Sequence, residues 1–122
     1  MENLNVFDAK TCDIPEIREL LSMFYRISVS DIDVFFSVCG LSGARVEAIS
    51  DSMGKDKSTV QRCLNRLYSS GLIKRESKCC IKGKKGRYFI YFAVSNAELK
   101  EMLLLHVNNW HSLRFAVIDS LR

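Results

Sequence analysis

Proline, glycine and long apolar segments are scarce in this sequence of 122 residues. One proline and six glycines, with 48% hydrophobic residues, are typical of a folded chain and exclude the disordered and collagen-like classes. No apolar run approaches the roughly 18–20 residues of a membrane span, and the N-terminus lacks the pattern of a secretory signal. We therefore expect one compact, cytoplasmic domain that crosses no membrane.

The sequence also lacks recognisable catalytic and metal-binding motifs. It contains no nucleophile elbow, HExxH pattern, P-loop or dinucleotide-binding glycine pattern, so no catalytic residue is expected and no enzyme is predicted. The five cysteines show no CxxC spacing, and His106 and His111 do not share a helical face, so neither a metal nor a cofactor is expected. Cysteines without such spacing in a cytosolic chain are typically reduced thiols, and most of them are buried.

Positive charge is concentrated in one part of the chain. The formal net charge is +4, but residues 1–50 contain four basic and eight acidic side chains. Residues 51–92 contain eleven basic and three acidic side chains, and residues 93–122 contain three of each. The middle segment therefore carries the whole positive excess, which indicates a polyanionic partner.

Local signals predict a loose N-terminal arm and then two helices. Residues 1–12 show no hydrophobic period. Asp13 and Glu16 have the spacing of a capping box and precede an amphipathic stretch, so they are predicted to start the first helix. Ser30 and Asp33 have the same spacing and are predicted to cap the second helix.

A short helix, a tight turn, a longer helix and a hairpin are predicted next. Glycines follow both helices, and two segments rich in aromatic or β-branched residues flank a basic turn. This order is that of a helix-turn-helix unit followed by a wing. The predicted bounds are 46–53 for the short helix, Asp56 or Lys57 to about Ser70 for the longer helix, and 74–80 and 87–92 for the strands.

The last segment is predicted to be one long helix with a heptad stripe. Ser95 and Glu98 form a third capping box ahead of a helix over about residues 96–120. The residues of the stripe then alternate in steps of four and three, which is the spacing of a coiled-coil seam. The candidate dimer-interface residues are Leu99, Leu103, His106, Trp110, Leu113 and Val117.

The longer of the two adjacent helices has a polar face without a carboxylate. At 100° per residue, Val60 and Leu64 fall on the packing side, whereas hydroxyl, amide and guanidinium groups fall opposite them. Such groups read base edges or bind phosphate, and a basic hairpin tip can contact the DNA backbone or enter the minor groove. Gln61, Arg62 and Asn65 are assigned to the bases. The full set of candidate DNA-binding residues is Lys55, Lys57, Ser58, Thr59, Gln61, Arg62, Asn65, Arg66, Lys82, Lys84, Lys85 and Arg87.

On these residues the sequence resembles the winged helix-turn-helix transcription regulators, in particular the small archaeal or bacterial TrmB-like and MarR-like proteins. The resemblance covers residues 30–98 and is carried by VEAISDSMG, KSTVQRCLNRL and GLI, which begin at Val46, Lys57 and Gly71. It implies that the helix beginning at Ser58-Thr59 lies in the major groove and that flanking helices form a homodimer. Larger TrmB-type regulators carry a C-terminal sugar-binding domain, whereas one helix follows the wing here, so direct sugar sensing is not expected.

The predicted fold class is therefore α+β, mostly α with a small β-hairpin, in a winged helix-turn-helix domain with a long C-terminal dimerisation helix. The predicted parts are the arm at 1–12, the DNA-binding domain at 13–95 and the dimerisation helix at 96–122. The predicted function is sequence-specific binding of double-stranded DNA by a homodimeric transcription regulator whose small-molecule effector, if any, is unknown.

Two other functions fit the same residues. A winged helix can serve as a protein–protein interaction module of the transcription machinery, and the acidic first 50 residues suit a basic partner. Alternatively, Cys79 or Cys80 could sense oxidants or a thiophilic metal, because the neighbouring Lys78 and Lys82 favour a thiolate.

Overall fold

The computed structural model describes residues 13–79 and 86–121, and five helices and two strands lie within them. The predicted arm at residues 1–12, and Cys80, Lys82, Lys84 and Lys85 of the hairpin, lie outside the described residues. The mostly helical α+β class with one hairpin is confirmed. The elements in chain order are α1 (Pro15–Tyr25), α2 (Val29–Cys39), α3 (Val46–Met53), α4 (Lys57–Ser70), β1 (Ile73–Cys79), β2 (Arg87–Ala93) and α5 (Asn96–Asp119).

The start of α1 differs from the predicted capping box. The helix begins at Pro15, and the residue before it, Ile14, has no side-chain acceptor with which to cap it. Asp13 instead accepts a hydrogen bond of 2.6 Å from Arg18 Nε. The predicted Asp13–Glu16 box is therefore wrong: Ile14 is the N-cap residue, and the Asp13 carboxylate pairs with Arg18 instead.

The start of α2 was also predicted two residues too late. Ser28 Oγ accepts a hydrogen bond of 3.1 Å from the Asp31 N–H, and Asp31 Oδ2 accepts one of 3.0 Å from the Ser28 N–H. Ser30 therefore lies inside the helix, and Asp33 accepts a hydrogen bond of 2.9 Å from Arg18 Nη1. Both serine–aspartate pairs have the capping-box spacing, so spacing alone did not distinguish them.

The bounds of α3 and α4 agree with the sequence prediction. Gly54 and Gly71 follow these helices with φ of 64° and 88°, the left-handed conformation that glycine adopts without strain. Asp56 caps α4 by accepting a hydrogen bond of 3.1 Å from the Thr59 N–H. The predicted Ser95–Glu98 capping box of α5 is present as well.

The strands β1 and β2 form an antiparallel hairpin in the register Ile73↔Ala93 to Cys79↔Arg87. A bridge between Ala44 and Tyr91 ties the segment before α3 to the hairpin, through N–H···O bonds of 3.1 and 2.8 Å. The sheet is thereby held beside α3 and α4, where the helix-turn-helix unit lies.

One core is shared by the helices and the base of the hairpin. Phe35, Ile49, Leu64 and Leu72 are fully buried in it, and the first turns of α5 close it with Leu99. Beyond these turns α5 extends away from the core, and its remaining large apolar side chains are exposed. None of the helices in the described ranges is long and apolar enough to cross a bilayer.

Candidate nucleic-acid interface

The two faces of α4 are divided as its sequence predicts. Val60, Leu64 and Leu67 are buried against the preceding helices, whereas Arg62 and Asn65 are exposed on the opposite side. Helix α4 itself contains no acidic side chain, and its N-cap residue is Asp56. The part of the outward face that carries Arg62 and Asn65 therefore presents donors and acceptors without an acidic side chain of α4 to repel DNA.

Two amide side chains on this face are held in place by a tyrosine from the hairpin. Gln61 Nε2 donates hydrogen bonds of 3.1 Å to both Asn65 Oδ1 and the hydroxyl of Tyr91. Tyr91 is 2% exposed, so its position is fixed by the core. These bonds use both protons of Gln61 Nε2, so the groups of this pair that they leave unused are Gln61 Oε1 and the Asn65 amide protons. An acceptor and a donor are the two kinds of group that an adenine edge requires.

The N-terminus of α4 is occupied by a carboxylate. Asp56 accepts hydrogen bonds from the Ser58 hydroxyl and from the Thr59 N–H, and these bonds hold the pKa of its carboxyl below the usual value. Ser58 and Thr59 were predicted to bind phosphate together with the free N–H groups of this turn. In the structure, part of that hydrogen-bonding capacity is used by the chain itself.

Two of the residues predicted to bind phosphate form ion pairs with carboxylates of the protein itself. Lys57 Nζ lies 2.8 Å from Glu47 Oε2 on α3, and Arg66 Nη2 lies 2.8 Å from Asp31 Oδ1 on α2. Arg62, in contrast, donates a hydrogen bond only to Thr59 Oγ1, at 3.3 Å, among the contacts of the described residues. Arg62 on α4 and Lys55 in the turn before it therefore have no carboxylate partner among the described residues.

The partner of Arg66 is a buried carboxylate. Asp31 is 1% exposed, and burial by itself raises its pKa, but hydrogen bonds from Arg66, the Ser28 N–H and Cys63 outweigh burial and hold the pKa below the usual value. Burial, with the neighbouring carboxylate, raises the pKa of the Cys63 thiol. Cys63 is therefore a protonated, inert thiol in this cluster.

Two arginines near the hairpin, Arg45 and Arg75, were not among the predicted DNA-binding residues, but the structure shows each of them against an aromatic ring. The Cζ atom of Arg45 lies 4.2 Å from the ring centroid of Tyr88. That of Arg75 lies 4.0 Å from the ring centroid of Tyr68 and 4.2 Å from that of Phe89. Counting charges along the chain detects both arginines but says nothing of these stacking contacts, which depend on the sheet register and on α4.

A cleft of about 290 Å³ lies between α3, α4 and β2, on the same side as the Gln61–Tyr91 pair. Arg45, Lys57 and Arg87 line it together with a single carboxylate, Glu47. Arg87, a predicted DNA ligand, also donates a hydrogen bond of 3.1 Å to Ser77 Oγ across the hairpin. The surface between the helices and the hairpin is therefore cationic.

The predicted dimer stripe on α5 divides into two parts. Leu99 and Leu103 are buried in the chain's own core, and His106 Nε2 lies 3.0 Å from the Tyr25 hydroxyl, so these residues join α5 to the domain. Further residues of the stripe are solvent-facing in one chain: Trp110, Leu113 and Val117 are 44%, 62% and 60% exposed.

Comparison with known sequences identifies one family. Residues 21–97 match the family model described as the sugar-specific transcriptional regulator TrmB. The chain is also 30% identical over 91 residues to MJ1503, an uncharacterized protein of Methanocaldococcus jannaschii, over 75% of this chain and 67% of that one.

Solved structures show the same fold at low sequence identity. A possible transcriptional regulator from Methanosarcina mazei superimposes with a TM-score of 0.78 at 18% identity, covering 94% of this chain and 99% of that one. The crystal structure of MarR superimposes with a TM-score of 0.52 at 20% identity, covering 83% of this chain and 74% of that one. The winged-helix fold predicted from the sequence is thus confirmed.

Proposed function

Because the chain belongs to the TrmB family of transcriptional regulators and has a winged-helix fold, we propose that it binds specific double-stranded DNA sites as a homodimer in the cytoplasm. Helix α4 is the recognition helix and enters the major groove, and the hairpin contacts the backbone or the minor groove. Gln61, Arg62 and Asn65 contact bases in this proposal.

The outward face of α4 carries the proposal. Its amides are held by Tyr91 in one orientation, Arg62 has no carboxylate partner among the described residues, and no acidic side chain lies along the helix. A bidentate contact needs donor and acceptor fixed at one spacing, because a free side chain loses conformational entropy when it binds. The hydrogen bonds that join Tyr91, Gln61 and Asn65 restrict both amides before DNA binds, which supports this role.

The exposed second half of α5 supports the homodimer. Trp110, Leu113, Val117 and Ile118 are exposed and lie within three turns of one helix that leaves the core. An exposed apolar stripe of this kind on a helix is normally buried by a partner. Pairing of two such helices would present two copies of α4 to successive major grooves, about 34 Å apart.

The test is selection of bound sites from a random DNA pool, followed by titration of the selected duplex at several salt concentrations. We expect a two-fold symmetric site and an affinity that falls steeply as salt rises. The protein-interaction alternative predicts no duplex binding near physiological ionic strength, and that result would overturn the proposal.

A matched pair of variants separates the interface from general charge. Arg62→Ala and Lys100→Ala each remove one exposed cation, the first from the outward face of α4 and the second from α5. We expect Arg62→Ala to weaken the selected site by about 1–3 kcal/mol and to relax one base preference, with little effect from Lys100→Ala. Equal effects of the two variants would contradict the assignment of α4 as the recognition helix.

A further inference from the structure

Arg75 lies at the junction of three elements. It belongs to β1, and its guanidinium stacks on Tyr68 of α4, at 4.0 Å, and on Phe89 of β2, at 4.2 Å, measured from Cζ to each ring centroid. Both rings are exposed. Two ring contacts on one guanidinium restrict its rotation, so that the position of this charge is set by the fold rather than by solvent.

A continuous run of side chains connects Arg75 with the outward face of α4. Arg75 pairs with Tyr91 in the hairpin register, and Phe89 follows two residues away on the same face of the sheet. The rings of Phe89 and Tyr91 lie 6.2 Å apart, and the Tyr91 hydroxyl accepts the hydrogen bond from Gln61. Arg75 therefore lies on the same side of the molecule as the amides proposed to read bases.

Arg75 also differs from most neighbouring cations in having no acidic partner within the described residues. On the other face of β1, Lys74 lies 2.8 Å from Glu98 and Lys78 lies 3.3 Å from Glu76. The ring contacts use no N–H group of the guanidinium, so its donors remain available.

We propose that Arg75 is a further DNA-contact residue that binds a backbone phosphate next to the groove occupied by α4; this rests on the proposed function. A phosphodiester is the ligand that fits, because its two free oxygens match a planar guanidinium fork and its charge satisfies the unpaired cation. Tyr68 and Phe89 are positioning residues, since they orient the fork without touching DNA. Because they come from α4 and β2, they also fix where that phosphate lies relative to the bases read by Gln61.

The first test compares three variants on the selected duplex: Arg75→Ala, Arg75→Lys and Lys78→Ala. Lys78→Ala is the matched control, because this substitution also removes one positive charge from β1, but on the opposite face of the sheet. We expect Arg75→Ala to weaken binding about tenfold or more and to lower the slope of log affinity against log salt by about 0.9. Arg75→Lys keeps the charge but loses the planar fork, so we expect the slope to recover and the affinity to recover only in part.

The second test locates the contact on the DNA, and its first measurement needs only the wild-type protein. Each phosphate of the duplex is replaced in turn by a neutral methylphosphonate, and binding is measured with wild type and with Arg75→Gln. We expect one position whose neutralisation weakens wild type but leaves Arg75→Gln unchanged. If no position shows this coupling, or if Arg75→Ala and Lys78→Ala have equal effects, the inference is wrong.

These outcomes also separate the inference from the function on which it rests. If wild type binds its selected duplex and Arg75→Ala has the same salt slope as wild type, the role of Arg75 is wrong but the proposed function stands. Wild type that binds no duplex overturns the proposed function and the inference together.

Discussion

Asp31 and Arg66 form an ion pair between the first turn of α2 and the middle of α4, with 2.8 Å between Oδ1 and Nη2. The same carboxylate accepts the Ser28 N–H, so one side chain both caps α2 and anchors the proposed recognition helix. Asp31 is buried, whereas Arg66 is half-exposed. The pair therefore holds α4 against α2, so Arg66 stabilises the fold whether or not it also contacts DNA.

Removing Arg66 should destabilise the domain. Arg66→Ala leaves a buried carboxylate without its cation, and we expect the free energy of unfolding to fall by about 1–3 kcal/mol. Arg62→Ala is the control, because it removes a guanidinium from the same helix that has no carboxylate partner among the described residues, and we expect a change within about 0.5 kcal/mol. Urea denaturation followed by circular dichroism measures both, and equal midpoints would contradict the anchoring role.

The same pair predicts a pH dependence of stability. The pKa of Asp31 is lower in the folded protein than in the unfolded chain, where it is about 3.9. Its contribution is therefore complete above about pH 4 and is lost as the pH falls through the folded pKa. We expect the difference in unfolding free energy between wild type and Asp31→Asn to shrink below pH 4. A difference that stays constant from pH 6 to pH 3 would argue against this linkage.

The hydroxyl of Tyr91 should position Gln61 for DNA recognition, with only a modest effect on stability. Tyr91→Phe keeps the buried ring but removes the acceptor for Gln61 Nε2, so we expect a modest loss of stability, about 1 kcal/mol. We expect a relaxed preference at one base position when bound sites are selected from a random pool. Tyr88→Phe is the control, because that ring stacks on Arg45 on the other face of β2. Identical site preferences in the two variants would rule out this positioning role.

The exposed part of α5 should carry the dimer interface. Leu113→Glu introduces a charge into the apolar stripe, and we expect light scattering to report the mass of one chain instead of two. Asn108→Glu is the control on the opposite side of the same helix, where the charge remains in solvent. An unchanged mass in Leu113→Glu would show that this stripe does not join the subunits.

The basic hairpin tip is predicted to contribute affinity without sequence preference. Changing Lys84 and Lys85 to Ala should weaken all duplexes about equally and lower the salt slope by about 0.9 for each lost phosphate contact. Binding to the selected and to a scrambled duplex over a range of salt concentrations measures both effects. Altered sequence preference with an unchanged slope would contradict the assignment of the tip as a wing.

Helix bounds were predictable wherever a local signal had no competitor. Gly54 and Gly71 end their helices because the left-handed conformation depends on the residue itself, and Ser95 with Glu98 caps α5 as its spacing predicts. The capping boxes predicted at the first two helices were wrong, because Asp13 hydrogen bonds to Arg18 and because Ser28 with Asp31, at the same spacing as Ser30 with Asp33, caps α2 instead. The local pattern does not say which carboxylate a distant arginine takes.

For the candidate interface, the sequence predicted which face of α4 points outward but not the contacts of the charged side chains. The outward face of α4 follows from helical periodicity, so Arg62 and Asn65 were placed correctly on it. The state of each cation was not predictable, because Lys57 and Arg66 form ion pairs with residues distant in sequence, whereas Arg75 stacks on rings from two other elements. Likewise, the heptad spacing of α5 does not reveal that Leu99 and Leu103 belong to the core of the same chain.

The sequence by itself determined the order of elements, the division of α4 into two faces and the concentration of positive charge in residues 51–92. These properties depend on side-chain periodicity and on composition, both of which are local. The tertiary structure decided which carboxylate pairs with each cation, which amides are held for recognition and which part of α5 remains exposed. Such contacts join residues far apart in the chain, as Asp31 and Arg66 are, and only packing brings them together.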